Sequence, residues 1–242
     1  MNTAIVTGGA KRIGAALVRA LAADGWHVLI HYRRSEAEAK ALAEEVSGST
    51  VRADLADPGA ADAILAALAG LPPARLLVNN ASLFRHDDVR DFTPESWAAH
   101  LDVNLRAPAL LSRAFAAHAG EGQIVNLLDA KLAAPNPDFF SYTVSKIGLA
   151  GLTELCARAF APGIRVNGIA PSVTMVSGPQ SRSNFARVHA LNALERGVTV
   201  EEIVAALRFI LAAPSLTGQT ITLDGGQRFL SLPRDVQFLE QT

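Results

Sequence analysis

The chain has 242 residues, half of them apolar, with a single cysteine and a net charge of −1. That is enough chain to bury one large core, and its scattered, balanced charge excludes an electrostatic nucleic-acid footprint. One cysteine excludes an intrachain disulfide, and no run approaches the roughly 18 apolar residues of a membrane span.

The predicted elements alternate regularly. Residues 4–7 read as a short apolar strand that ends in glycines. Residues 13–23 carry Ile13, Leu17 and Leu21 at helical spacing, closed by Asp24-Gly25. Residues 28–30 form a second strand, and Ser35 is placed to cap a helix running to about Val46, with Glu38 in its first turn. Residues 50–53 read as strand three, and Asp57-Pro58 opens another helix, with the proline at its first position. Residues 76–78, 123–128, 165–169 and 219–223 supply strands four to seven. Apolar strands alternating with helices predict an α/β fold: one Rossmann-type domain over residues 1–242, a doubly wound parallel sheet of seven strands with helices on both faces. Residues 172–197 lack strand signals and read as a mobile substrate-covering loop. The tail, residues 230–242, carries Leu230, Leu232, Val236, Phe238 and Leu239, apolar residues expected to meet another subunit. The first residues run straight into a strand and leave no room for a signal peptide, which predicts a cytoplasmic protein.

The chemistry is concentrated in two places. Tyr142-x-x-x-Lys146 puts a phenol and an ammonium on one helix face. There the lysine charge is expected to lower the tyrosine pKa toward neutrality, as general acid–base catalysis requires. Thr7-Gly8-Gly9-Ala10-Lys11-Arg12-Ile13-Gly14, between strand and helix, suits the pyrophosphate of a dinucleotide, although a plain turn would look similar. Together they predict hydride transfer. An NAD site usually ends strand two in an acid; here stands His31-Tyr32-Arg33-Arg34-Ser35, whose Arg34 fork and Ser35 hydroxyl suit a 2′-phosphate and predict NADP(H). Cys156 sits among Leu152, Leu155 and Phe160 as a core thiol, and none of the six histidines has metal-ligand spacing.

As an ordered set, Thr7-Gly8-x-x-x-Arg12-x-Gly14, Asp54-Leu55, Asn79-Asn80-Ala81-Ser82, Asn104, Tyr142-x-x-x-Lys146, Arg165-Val166-Asn167-x-Ile169-x-Pro171 and Asp224-Gly225-Gly226 resembles the short-chain dehydrogenase/reductase family, from about Ala4 to Phe229. The resemblance implies that Asp54 and Leu55 meet the adenine, with Asn80 and Ala81 flanking it and the adjoining ribose. It implies that Asn104 holds a water linking Lys146 to solvent, that Tyr142 and Lys146 carry the proton, and that Lys146 bonds the nicotinamide ribose. Gly8, Arg12, Ile13, Gly14, His31, Tyr32, Ser82, Pro171 and Thr174 complete the implied cofactor set, and a homotetramer is the family habit.

Two departures narrow the reading. Most members have a third glycine at Arg12, and a serine thirteen residues before the tyrosine, at Asp129. Both replacements resemble the pteridine reductase branch, as does Asn80-Ala81-Ser82-Leu83-Phe84. That likeness implies that Phe84 and the nicotinamide sandwich a flat bicyclic ring, with Ser82 fixing its polar edge and Arg12 near substrate or phosphate. Chemistry agrees: an ionised Asp129 would repel a developing alkoxide, whereas it can relay a proton to a C=N nitrogen. The expected enzyme therefore reduces a dihydropterin-like small molecule with NADPH, needing no metal, membrane or nucleic acid; the alternative is reduction of a 3-oxoacyl thioester or small ketone.

Overall fold

The first strand, β1 (Thr3–Val6), is buried at all four positions. A strand without a solvent face must be covered from both sides, and helices do this in an α/β chain. The computed structural model describes residues 1–176 and 181–239. After β1 come α1 (Arg12–Ala23), β2 (His27–Tyr32), α2 (Glu36–Val46), β3 (Ser49–Arg52), α3 (Ala60–Ala66), β4 (Ala74–Asn79) and α4 (Pro94–Leu101). They are followed by α5 (Ala107–Ala119), β5 (Gly122–Leu127), α6 (Phe140–Phe160), β6 (Ile164–Pro171), α7 (Arg182–His189), α8 (Val200–Ala212) and β7 (Thr220–Leu223).

The strands pair in the order β3-β2-β1-β4-β5-β6-β7, every pair parallel. Side chains alternate across a strand, so Ala4 and Val6 enter one core while Ile5 enters the other. The first core packs α1 and α8 on the sheet through Leu17, Leu21, Ile203 and Leu207; the second packs α3 and α5 through Ile64, Leu111 and Phe115. Each such side chain contributes about 1.5–3 kcal/mol on burial. Strand order reverses between β1 and β4, which opens a crevice at their carboxyl ends.

Local chemistry shifts several predicted details. Asp57 Oδ1 accepts from Gly59 N at 2.8 Å, so Asp57-Pro58 forms a turn ahead of α3 rather than its first residues. Ser35 stands at the N-cap of α2 without a side-chain cap bond. The expected loop 172–197 contains α7, capped by Ser181 Oγ accepting from Asn184 N at 3.1 Å; residues 177–180 lie outside the described residues. The tail folds back on its own chain in a 3₁₀ turn, Val236–Phe238, and Val236 is buried there; residues 240–242 lie outside the described residues. Val236 is covered by its own chain, whereas Leu230 and Phe238 stay exposed. Among the described residues no helix is long and apolar enough to cross a membrane, and no three His, Cys, Asp or Glu cluster for a metal.

Candidate active site

The loop between β1 and α1 is shaped by backbone contacts. Gly8 has φ +61°, and a Cβ on Gly14 would sit 2.2 Å from Gly8 O, so the helix closes on the loop only because residue 14 lacks a side chain. Arg12 also has a positive φ, +55°, which explains why glycine is usual at this position and why an arginine here carries strain. Its Nη1 donates to Val176 O at 2.6 Å, tying the cofactor loop to the segment after β6.

Neighbouring strands hold this loop. Thr7 Oγ1 accepts from Asn80 N and Ala81 N, both at 3.0 Å, and Asn80 Nδ2 donates to Thr7 O and Gly8 O at 2.8 and 3.1 Å. His31 Nδ1 accepts from Gly8 N at 3.1 Å, so its Nε2 carries the proton and donates to Ala53 O, also 3.1 Å away. Burial lowers the His31 pKa and keeps this neutral form.

A cavity of about 750 Å³ runs from this loop to the tail. Gly8, Arg12, Ile13, Gly14, His31, Asp54, Leu55, Asn80 and Ala81 line one part of it. Ser82, Phe84, Asp129, Tyr142, Lys146, Pro171 and Thr174 line the rest. Four predicted site residues do not reach it. Tyr32 packs into the first core, Ser35 and the exposed Arg34 lie off the wall, and Asn104 is buried behind it. Arg33 lines the cavity where Arg34 was expected, and its Nη2 pairs with Asp54 Oδ2 at 2.9 Å. Asn104, in a π-helical turn, donates to Leu83 O and Ser145 Oγ at 2.9 and 3.0 Å and accepts from Leu83 N at 2.7 Å; its side chain braces the Ser82–Leu83 turn.

The proton-handling groups meet at the end of β5 and on α6. Tyr142 Oη donates to Asp129 Oδ2 at 2.6 Å, while Asp129 Oδ1 accepts from Lys131 N at 2.8 Å. Lys146 Nζ donates to Leu127 O at 2.6 Å and lies 5.7 Å from the Tyr142 ring centre. Burial lowers Lys146 to about 8, against the pull of Asp129. Burial, then the Asp129 charge, push the Tyr142 phenol well above its ordinary value, which reverses the expectation that Lys146 would lower it. The reasons are burial and, after it, the carboxylate that takes the phenol's hydrogen bond, while the lysine donates to a carbonyl. Burial also raises Asp129, although the bonds from Tyr142 and Lys131 oppose it. The pair therefore retains protons, as an acid does. Phe84 stacks on Phe139 at 4.2 Å between ring centres and meets Tyr142 edge-on at 4.7 Å.

Lys131 and the tail residues Leu232, Asp235, Val236 and Gln237 also line the cavity. Lys131 bears no motif, and the tail signalled itself only by apolar residues with no strand to serve.

A parallel sheet, a glycine loop at its switch point and a Tyr–Lys helix beside it define the class of this protein. The chain belongs to the short-chain dehydrogenase/reductase family of NAD(P)-dependent oxidoreductases; a family model described as enoyl-(acyl carrier protein) reductase matches residues 8–228. It is similar to FolM alternative dihydrofolate reductase 1 from Brucella suis, solved in complex with NADP, with 38% identity, a TM-score of 0.87, and coverage of 94% of this chain and 95% of that one. It is 34% identical over 237 residues to L-xylulose reductase of Mesocricetus auratus (92% and 95% covered). It is 29% identical over 238 residues to 3-oxoacyl-[acyl-carrier-protein] reductase of Synechocystis (93% and 96% covered).

Proposed function

We propose that this protein is an NADPH-dependent reductase of a C=N bond in a pterin or dihydropterin-like ring. The observation that carries the reading is the 2.6 Å bond between Tyr142 Oη and Asp129, where a ketone reductase is better served by a serine donor. Likeness to an alternative dihydrofolate reductase supports it. The glycine loop, the N-terminus of α1 and the cations Lys11, Arg12 and Arg33 on the cavity wall fit a phosphorylated dinucleotide. Bound NADPH supplies the hydride. The chain's own residues do the rest: Tyr142 and Asp129 deliver a proton to the ring nitrogen, Lys146 holds positive charge beside them, and Phe84 presents an aromatic face to the ring. The family habit makes a homotetramer the proposed form.

A steady-state assay with purified protein, NADPH, dihydropterins and ketones tests this. Pterin turnover that collapses by about 10²-fold or more in Asp129→Ser supports it. Ketone turnover alone, unchanged or improved by the serine, overturns it in favour of the carbonyl reading, which the 3-oxoacyl reductase relative supports. The place given to Arg34 passes to Arg33, on the cavity wall: Arg33→Ala is expected to weaken NADPH about tenfold or more while sparing NADH, and Arg34→Ala to change little. Equal losses for both cofactors would remove Arg33 from that role.

A further inference from the structure

Residues 231–239 form a strap along the cavity, four of them on its wall, and one buried acid anchors them. Asp138 is 1% exposed, and Arg234 forks onto both its oxygens, Nε at 3.0 and 2.9 Å and Nη2 at 2.7 Å. Asp235 N donates to the same carboxylate at 2.7 Å. Lys131 Nζ then bridges Asp138 O at 2.9 Å and Asp235 Oδ2 at 3.1 Å. Two-pronged charge-assisted bonds to a buried carboxylate are among the strongest and most directional polar contacts a surface segment can make. Burial works against the Asp138 anion, but Arg234, the Asp235 N–H and Lys131 more than reverse this and hold its carboxyl below the usual value.

The strap extends the aromatic stack that Phe84 begins. Phe139 stacks on Phe84 at 4.2 Å and on Phe238 of the strap at 5.7 Å. The strap also reaches the acid: Lys131, which grips Asp235, donates its backbone N–H to Asp129. Its inner face presents Leu232, Val236 and Gln237 to the cavity.

We propose that Arg234 and Asp138 form a latch holding the C-terminal strap closed, so that Leu232, Val236 and Gln237 form the outer wall of the substrate pocket and select flat, unbranched substrates. Both residues are positioning residues that act through the strap. The identity of the flat substrate rests on the pterin reading; the latch itself does not. Arg234 is half exposed, so Arg234→Gln should fold, whereas Asp138→Asn, at a buried site, is the harsher second variant.

Amide hydrogen exchange at residues 235–238, with no substrate present, reads the latch directly: it is expected to speed up in both variants and to be partly restored in Arg234→Lys. Kinetics with whichever substrate of the panel the wild type reduces best read its consequence. Arg234→Gln is expected to raise KM for that substrate about tenfold, leave KM for NADPH within about twofold, and narrow the preference for small over bulky analogues. A strap that opens without changing the substrate KM, equal rises in both KM values, or unchanged exchange would each overturn the proposal. Failure of the pterin reading shows separately, in the wild-type substrate panel.

Discussion

At Asp129 one side chain changes the character of the whole site. Burial already pushes the Tyr142 phenol up, and the Asp129 carboxylate, which takes the phenol's hydrogen bond, pushes it further. Lys146, lowered to about 8 by burial, is charged below that pH and neutral above it. Its free-enzyme role is therefore expected to fade on the alkaline side: kcat/KM for the cofactor should fall with a midpoint near 8, and a flat profile from about pH 7 to 9.5 would contradict this. Stability runs the other way. The folded pKa lies below the unfolded value of about 10.4, so the unfolded chain binds the extra proton between them and folding gains as pH rises through that window. The Tm of wild type relative to Lys146→Met should accordingly shift in favour of wild type between about pH 8 and 10.

The loop joining β1 to α1 shows how an element is held by what it lacks. A methyl group on Gly14 would stand 2.2 Å from Gly8 O and 2.7 Å from Asn80 Nδ2. Gly14→Ala must push α1 away from the loop, which is expected to cost about 1–3 kcal/mol of stability. Because the same loop lines the cavity, NADPH affinity should fall by about tenfold or more as well. Differential scanning fluorimetry and a fluorescence titration check the two effects; an unchanged affinity would mean that the loop tolerates displacement. Arg12, strained at φ +55°, belongs to the same element. Its bond to Val176 O ties the segment after β6 to the cofactor loop.

Across the whole molecule, apolar residues that do not line the cavity are left uncovered on helices. Ile147 and Leu155 on α6 are 50% and 66% exposed, and Phe209 on α8 is 58% exposed. Such faces are costly in water and suit subunit contacts. Light scattering behind size-exclusion chromatography is expected to give the mass of four chains, and Leu155→Glu to give a smaller assembly. A wild-type monomer would refute the tetramer.

Much of this architecture was legible in the chain by itself. Apolar strands with no polar face required a doubly covered parallel sheet, and the helical spacing of Ile13, Leu17 and Leu21 required the helix that closes the glycine loop. Tyr142 and Lys146 needed only the period of a helix to be placed together, since residues four apart share a face whatever surrounds them. Which of Arg33 and Arg34 lines the cavity depended on how the chain leaves β2, because adjacent side chains point different ways. The direction of the Tyr142 pKa depended on its burial and on its hydrogen bond to Asp129, both of which exist only in the folded chain. The strap was decided by tertiary structure alone. Asp138 and Arg234 are 96 residues apart, and no local pattern links them. Periodicity and propensity act over a few residues, whereas a pairing across the chain exists only once the fold has brought both groups out of water together.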